Sequence, residues 1–186
     1  GFQTEEASYA TSYIPTNGAA VTRAAETASG AGDASTFNDS EGVLFWEFSK
    51  PSQDNELAVL SNGTDAMYVN INPYNNLDAS IYDGTTYVPW SGSTYIVGTY
   101  NKCAIRWNGT VGEYFINGIS QGAKTIPLLN GLSTLSLQLT SGALKFNGKT
   151  KQIQYFQTAL TDSELEELTS WTSFTAMAQG QQYSIK

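Results

Sequence analysis

Residues 143–169, ALKFNGKTKQIQYFQTALTDSELEELT, decide the fold. Two short strands are expected to meet at Asn147-Gly148, followed by a helix start at Thr161. Thr161 and Glu164 form a capping-box pattern, in which the hydroxyl accepts an early helix N–H and the carboxylate reaches back to the cap's own N–H. A chain of strands that closes on one short amphipathic helix is an uncommon layout, and it narrows the fold more than any single residue does.

Strand signals are dense from Glu41 onward. VLFWEFS is apolar almost throughout, as a strand covered on both faces would be. ELAVLS, MYVNIN, LDASIYDGTTYVPW, KCAIRWN and VGEYFINGIS follow, and LSTLSLQL alternates leucines with Ser136 and Gln138 as a half-exposed strand does. Asn-Gly pairs at Asn17, Asn62, Asn108, Asn117, Asn130 and Asn147 punctuate the chain. That dipeptide supplies the positive φ angles of tight hairpins. Turns at this spacing indicate an antiparallel sandwich or barrel. In TDSELEELTSW, Leu165 and Leu168 share a face, and the helix is expected to cover one end of the sandwich. Residues 1–36 read as an extended arm packed on the body.

Composition bounds the rest. The 186 residues fit one domain, with a core large enough to need no staples. Charged residues are only 14% of the chain, and the net charge is −8, so nucleic-acid and anionic-membrane partners are disfavoured. No run of 18 apolar residues is present, so no membrane insertion is expected. The lone cysteine, Cys103, lies in an apolar strand and is expected to be a buried, inert thiol. The chain opens on Gly1, which suggests a piece excised from a longer protein.

Three stretches carry a family resemblance: TSYIPTNGAAVTRAAETAS (residues 11–29) followed by EGVLFWEF; KCAIRWNGTVGEYFINGIS; and FNGKTKQIQYFQTALTDSELEELT. Together they resemble the concanavalin A-like (laminin-G-like) jelly-roll domains of phage tail and virion proteins. The resemblance implies an all-β, antiparallel two-sheet jelly-roll sandwich with one short C-terminal helix. Residues 15–186 would form that domain, and residues 1–14 a linker or the end of an upstream module. It also implies a carbohydrate-binding or adhesive role on a virion, acting extracellularly, with other virion proteins as further partners.

The chemistry agrees with binding over catalysis. With no histidine, Ser-His-Asp and Cys-His systems and His-ligated metals are excluded. Glycoside cleavage needs two carboxylates about 5–9 Å apart. The Glu-x-Asp-x-x-Glu run of laminarinase-type hydrolases of this broad fold is missing. Glu41 and Glu47 would share a strand face but stand about 20 Å apart. A non-catalytic module is expected, with a structural virion domain and a glycosidase or lyase as alternatives.

Sugar recognition needs flat rings to stack on C–H faces, and amides or carboxylates to bond hydroxyls. The expected ligand-binding set is Tyr74, Trp90, Tyr82, Tyr87, Asn70, Asn72 and Asp83. Tyr74 in NPYNN and Trp90 in VPWSGS occupy loop contexts and are the first choices for exposed platforms, with packing the competing reading. Tyr68, Tyr95 and Tyr100 are expected to pack, and Trp46 and Trp107 to lie in the core. Calcium is a side expectation at a sheet rim, through Asp54, Asn55 and Asp65; solvated turn-forming is the competing reading for these residues.

Overall fold

Alternation of apolar and polar residues resolves into ten strands and one helix in the computed structural model, which describes residues 30–51, 57–64, 67–73, 76–94, 97–139 and 141–171. One five-stranded antiparallel sheet contains β1 (Glu41–Ser49), β6 (Asn101–Asn108), β7 (Val111–Ile116), β8 (Ile119–Thr125) and β10 (Lys149–Phe156), in the order β10-β1-β6-β7-β8. The other contains β2 (Ala58–Ser61), β3 (Tyr68–Pro73), β4 (Leu77–Tyr82), β5 (Tyr87–Trp90) and β9 (Thr134–Ser136), in the order β5-β4-β3-β2-β9. The fold is the expected two-sheet jelly-roll sandwich.

The core lies between the sheets. Leu44, Trp46, Phe48, Cys103, Ile105, Trp107, Tyr114 and Ile116 from the first sheet meet Ala58, Leu60, Val69, Ile71, Leu77, Ala79, Ile81 and Trp90 from the second. Trp46 and Trp107 are fully buried, as expected from their apolar strands. Removing such a ring from water is worth on the order of 4 kcal/mol at about 25 cal/mol per Å².

The helix α1 (Asp162–Thr169) starts where the capping box placed it. The Glu164 backbone N–H donates to Thr161 Oγ1 at 3.3 Å, and the Thr161 N–H donates to the Glu164 carboxylate at 2.7 Å. Its position differs from expectation. Leu165 packs on the outer face of the first sheet, against Val43, Phe45, Ala104 and Phe115, instead of capping an end. This second small core explains why VLFWEFS is buried on both faces.

Among the described Asn-Gly pairs, Gly63, Gly109, Gly118 and Gly131 have positive φ, but only the pairs at Asn108 and Asn117 lie at tight hairpins; Asn17 lies outside the described residues. Asn117 (φ 49°) and Gly118 (φ 84°) are the two loop residues between Ile116 and Ile119, the mirror-image turn that suits strand twist. Asn147-Gly148 is different. It joins no hairpin, because the preceding residues run irregularly and β10 begins only at Lys149. Likewise LSTLSLQL yields only the three-residue β9.

Candidate functional site

Register assigns the outer face of the second sheet. Val69, Ile71, Leu77, Ala79 and Ile81 point into the core, so Tyr68, Asn70 and Asn72 of β3, with Tyr82, Ser80 and Asp78 of β4 opposite them, point away from it. Tyr87 of β5 pairs with Tyr82 and joins the same face. The result is a ladder of three rings. Tyr68 and Tyr82 centroids are 5.4 Å apart, and Tyr82 and Tyr87 centroids 6.5 Å apart. Tyr87 is 58% exposed, while Tyr68 and Tyr82 are half-buried. The Tyr82 hydroxyl donates to the Gly84 carbonyl at 2.7 Å, which pins its ring to the turn beside Tyr87.

Other members of the expected set are placed differently. Asn70 is buried, and its Oδ1 accepts from the Ser80 hydroxyl at 2.9 Å, so that amide is committed within the sheet. Asn72 keeps a buried Oδ1 with no hydrogen-bond partner among the described residues. Asp83 is a turn former: its carboxylate accepts from the backbone of Thr86 at 2.7 Å and of Thr85 at 2.9 Å, and these bonds hold its pKa below the ordinary value.

Trp90 is the clearest correction. It belongs to β5 rather than a loop, is 1% exposed, and donates its indole N–H to the Gly122 carbonyl at 2.8 Å. Its pairing with Ala79 turns the ring inward, so it is no exposed platform. Tyr74, and the calcium candidates Asp54, Asn55 and Asp65, lie outside the described residues. Among the described residues, no group of three or more His, Cys, Asp or Glu side chains is placed to hold a metal ion.

The strand carboxylates are tied into the fold. Glu41 accepts from the Ala159 N–H at 2.9 Å. Glu47 is buried and meets Lys151 Nζ at 2.8 Å and Gln152 Nε2 at 3.0 Å. Glu113 pairs with Arg106 and accepts from the Ser120 hydroxyl at 2.5 Å. Arg106 also reaches Asp162 at 2.7 Å and the Leu160 carbonyl at 2.8 Å, fastening the helix start to the sheet.

A second feature was not read from the sequence. A cleft of about 270 Å³ opens at one end of the first sheet, between residues 49–51 at the end of β1, residues 98 and 100 before β6, and residues 147–149 at the start of β10. These strands are antiparallel neighbours, so the end of one and the starts of the other two fall together. Tyr100, expected to pack, is half-buried and lines this cleft with Asn147 and Lys149. The available signal was the run KFNGKTK, which holds Lys145, Lys149 and Lys151 in a chain with only nine Lys and Arg in all.

No protein-family model matches the chain, and no curated protein matches it. Solved structures do share its fold. The heptameric SAP-like pentraxin of Limulus polyphemus superposes with TM-score 0.62 at 9% identity, over 80% of this chain and 77% of that one. The CBM40 of the Ruminococcus gnavus IT-sialidase, bound to α2,3-sialyllactose, gives 0.60 at 16% identity, over 77% and 94%. Domain 4 of AbnA, a GH43 extracellular arabinanase from Geobacillus stearothermophilus, in complex with arabinotriose, gives 0.58 at 13% identity, over 75% and 70%. At these identities the likeness establishes the jelly-roll architecture.

Proposed function

We propose that this chain is a non-catalytic carbohydrate-binding module of a phage tail or related virion appendage, gripping a bacterial-surface or environmental polysaccharide. The observation that carries this reading is the Tyr68–Tyr82–Tyr87 ladder, whose outermost ring is 58% exposed beside a rigid turn. Rigid aromatics lose little entropy on binding and offer sugar C–H faces a stacking surface. The likeness in fold to two domains solved with saccharides supports choosing glycans as the first probes. The virion setting rests on the resemblance of the opening and closing sequence patterns to phage structural domains. Affinity per module would be weak, about 10 μM to 1 mM, and useful through many copies.

A glycan array followed by calorimetric titration tests the reading. Binding is expected, weakened about tenfold in Tyr87→Ala. Absence of binding to every glycan presented would sink it. A purely structural virion domain is the second reading, and it calls for a contiguous apolar docking patch. Among the described residues the large exposed hydrophobic side chains are dispersed: Tyr87 lies on the second sheet, Val111 and Ile119 at opposite ends of the β7–β8 hairpin, and Val97 and Leu128 in loops.

A further inference from the structure

The cleft between the ends of β1, β6 and β10 is built to hold its shape. Phe146 sits behind it, its ring 4.6 Å from that of Trp46 and 6.1 Å from that of Phe48. The Trp46 indole N–H donates to the Thr150 hydroxyl at 3.1 Å. Gly148 lies so close to β1 that a Cβ there would stand 2.5 Å from the Ser49 carbonyl oxygen. The Gly98 N–H donates to the Lys50 carbonyl at 2.8 Å, fixing the third wall.

One exposed cation stands at this cleft in a chain that carries −8: Lys149 lines it, and the Lys151 ammonium stands 5.6 Å from the centroid of the Tyr100 ring, whereas the Lys50 ammonium is buried and donates to the Pro73 carbonyl at 2.8 Å. Lys151 is balanced by the buried Glu47. Lys149 is exposed and forms no ion pair among the described residues. An aromatic ring, an amide and an available ammonium thus converge on a space just below the about 300–1,000 Å³ of drug-sized pockets, which suits one sugar residue and not a chain.

We propose that this cleft seats a single acid-bearing sugar residue, its ring against Tyr100, its hydroxyls at Asn147 and its carboxylate or sulfate paired with Lys149. The assignment rests on the glycan-binding reading and adds to it a second site and a ligand class. Anionic groups are drawn to a local positive potential and make stronger hydrogen bonds to ammonium than neutral ones do.

Calorimetry on the full chain tests this with a tetrasaccharide of galacturonic acid, its methyl ester and a sulfated galactose tetrasaccharide. At least one acidic form is expected to bind, with the ester about tenfold weaker or silent. Which of the two acids binds identifies the acid group. Lys149→Gln is expected to weaken acid binding about tenfold and Lys149→Arg to preserve it. Equal binding of acid and ester, an unaffected Lys149→Gln, or no binding of either acid would overturn the assignment. Binding of neutral glycans that is lost in Tyr87→Ala, with no binding of either acid, would overturn this site while leaving the broader reading intact.

Discussion

Gly112 has no side chain where the ring of Trp90 arrives: a Cβ on that glycine would lie 3.0 Å from Trp90 Cη2 and 2.8 Å from Ile126 Cγ2. Gly112 faces inward on β7 and Trp90 inward on β5, so this contact joins the two sheets beside the Trp90–Gly122 hydrogen bond. Trp90→Ala is therefore expected to cost about 3–5 kcal/mol of stability, measured by urea unfolding. Gly112→Ala is expected to cost about 1–3 kcal/mol through overpacking. In combination with Trp90→Phe, the costs should be non-additive by at least about 0.5 kcal/mol, because the smaller ring vacates the contested space. Strict additivity would show that the two residues do not share it.

Tyr87 should behave in the opposite way. Its ring is mostly in solvent and touches Tyr82 edge-on. Tyr87→Ala is expected to leave stability within about 0.5 kcal/mol of the parent while weakening glycan binding. A urea midpoint alongside a titration separates the two effects. A large loss of stability would place the ring in the structure's support instead of its recognition surface.

The contrast between these two aromatics marks what could be read from sequence. Asn117-Gly118 and the Thr161–Glu164 cap were legible because their geometry is settled within four residues. Trp90 in VPWSGS looked like a loop residue, but its burial is decided by Gly112, Gly122 and Ile126, which stand far along the chain. The helix was legible, yet its seat on the outer face depends on Val43, Phe45, Ala104 and Phe115 presenting apolar side chains to what would otherwise be solvent. Tyr82 and Tyr87 stand out by local composition, and the sheet register brings them together with Tyr68, which the sequence suggests would pack. The cleft is not legible in the sequence because its three walls come from segments about fifty residues apart, joined only by strand order.

Arg106 holds three acceptors at once: Glu113, Asp162 and the Leu160 carbonyl. A lysine offers one ammonium where the guanidinium fork offers separate N–H groups at fixed angles. Arg106→Ala leaves the largely buried Glu113 without its counter-charge and is expected to cost about 3 kcal/mol. Arg106→Lys should recover only part of that loss. Guanidinium unfolding followed by far-UV circular dichroism checks both, and full recovery in Arg106→Lys would show that charge alone matters there.

Cys103 is fully buried between the sheets, and burial pushes its thiol up to about 12. Only the thiolate is a strong nucleophile, and at pH 8 such a thiol is ionised to about one part in ten thousand. Iodoacetamide is expected to leave the folded chain unmodified and to label it fully in denaturant, read by mass. Fast labelling of the folded chain would mean that the sandwich opens locally around β6.

Acid should weaken the fold through the carboxylates that cap its turns and helix. The Thr161 backbone N–H, then its hydroxyl, hold the Glu164 pKa below the ordinary value. Such a group binds protons more readily when unfolded, so its contribution is complete above the unfolded pKa and disappears as pH falls through the folded one. Asp33 and Asp83 are lowered in the same sense by hydrogen bonds within their own turns. The urea midpoint is expected to fall progressively between about pH 5 and pH 3. Glu164→Gln should be less stable than the parent at pH 7 and decline less steeply over that window, because the substituted amide does not titrate. Thr161→Ala, which removes the reciprocal bond, should cost about 1 kcal/mol at pH 7. Parallel acid profiles for Glu164→Gln and the parent would show that the capping carboxylate contributes nothing that depends on its charge.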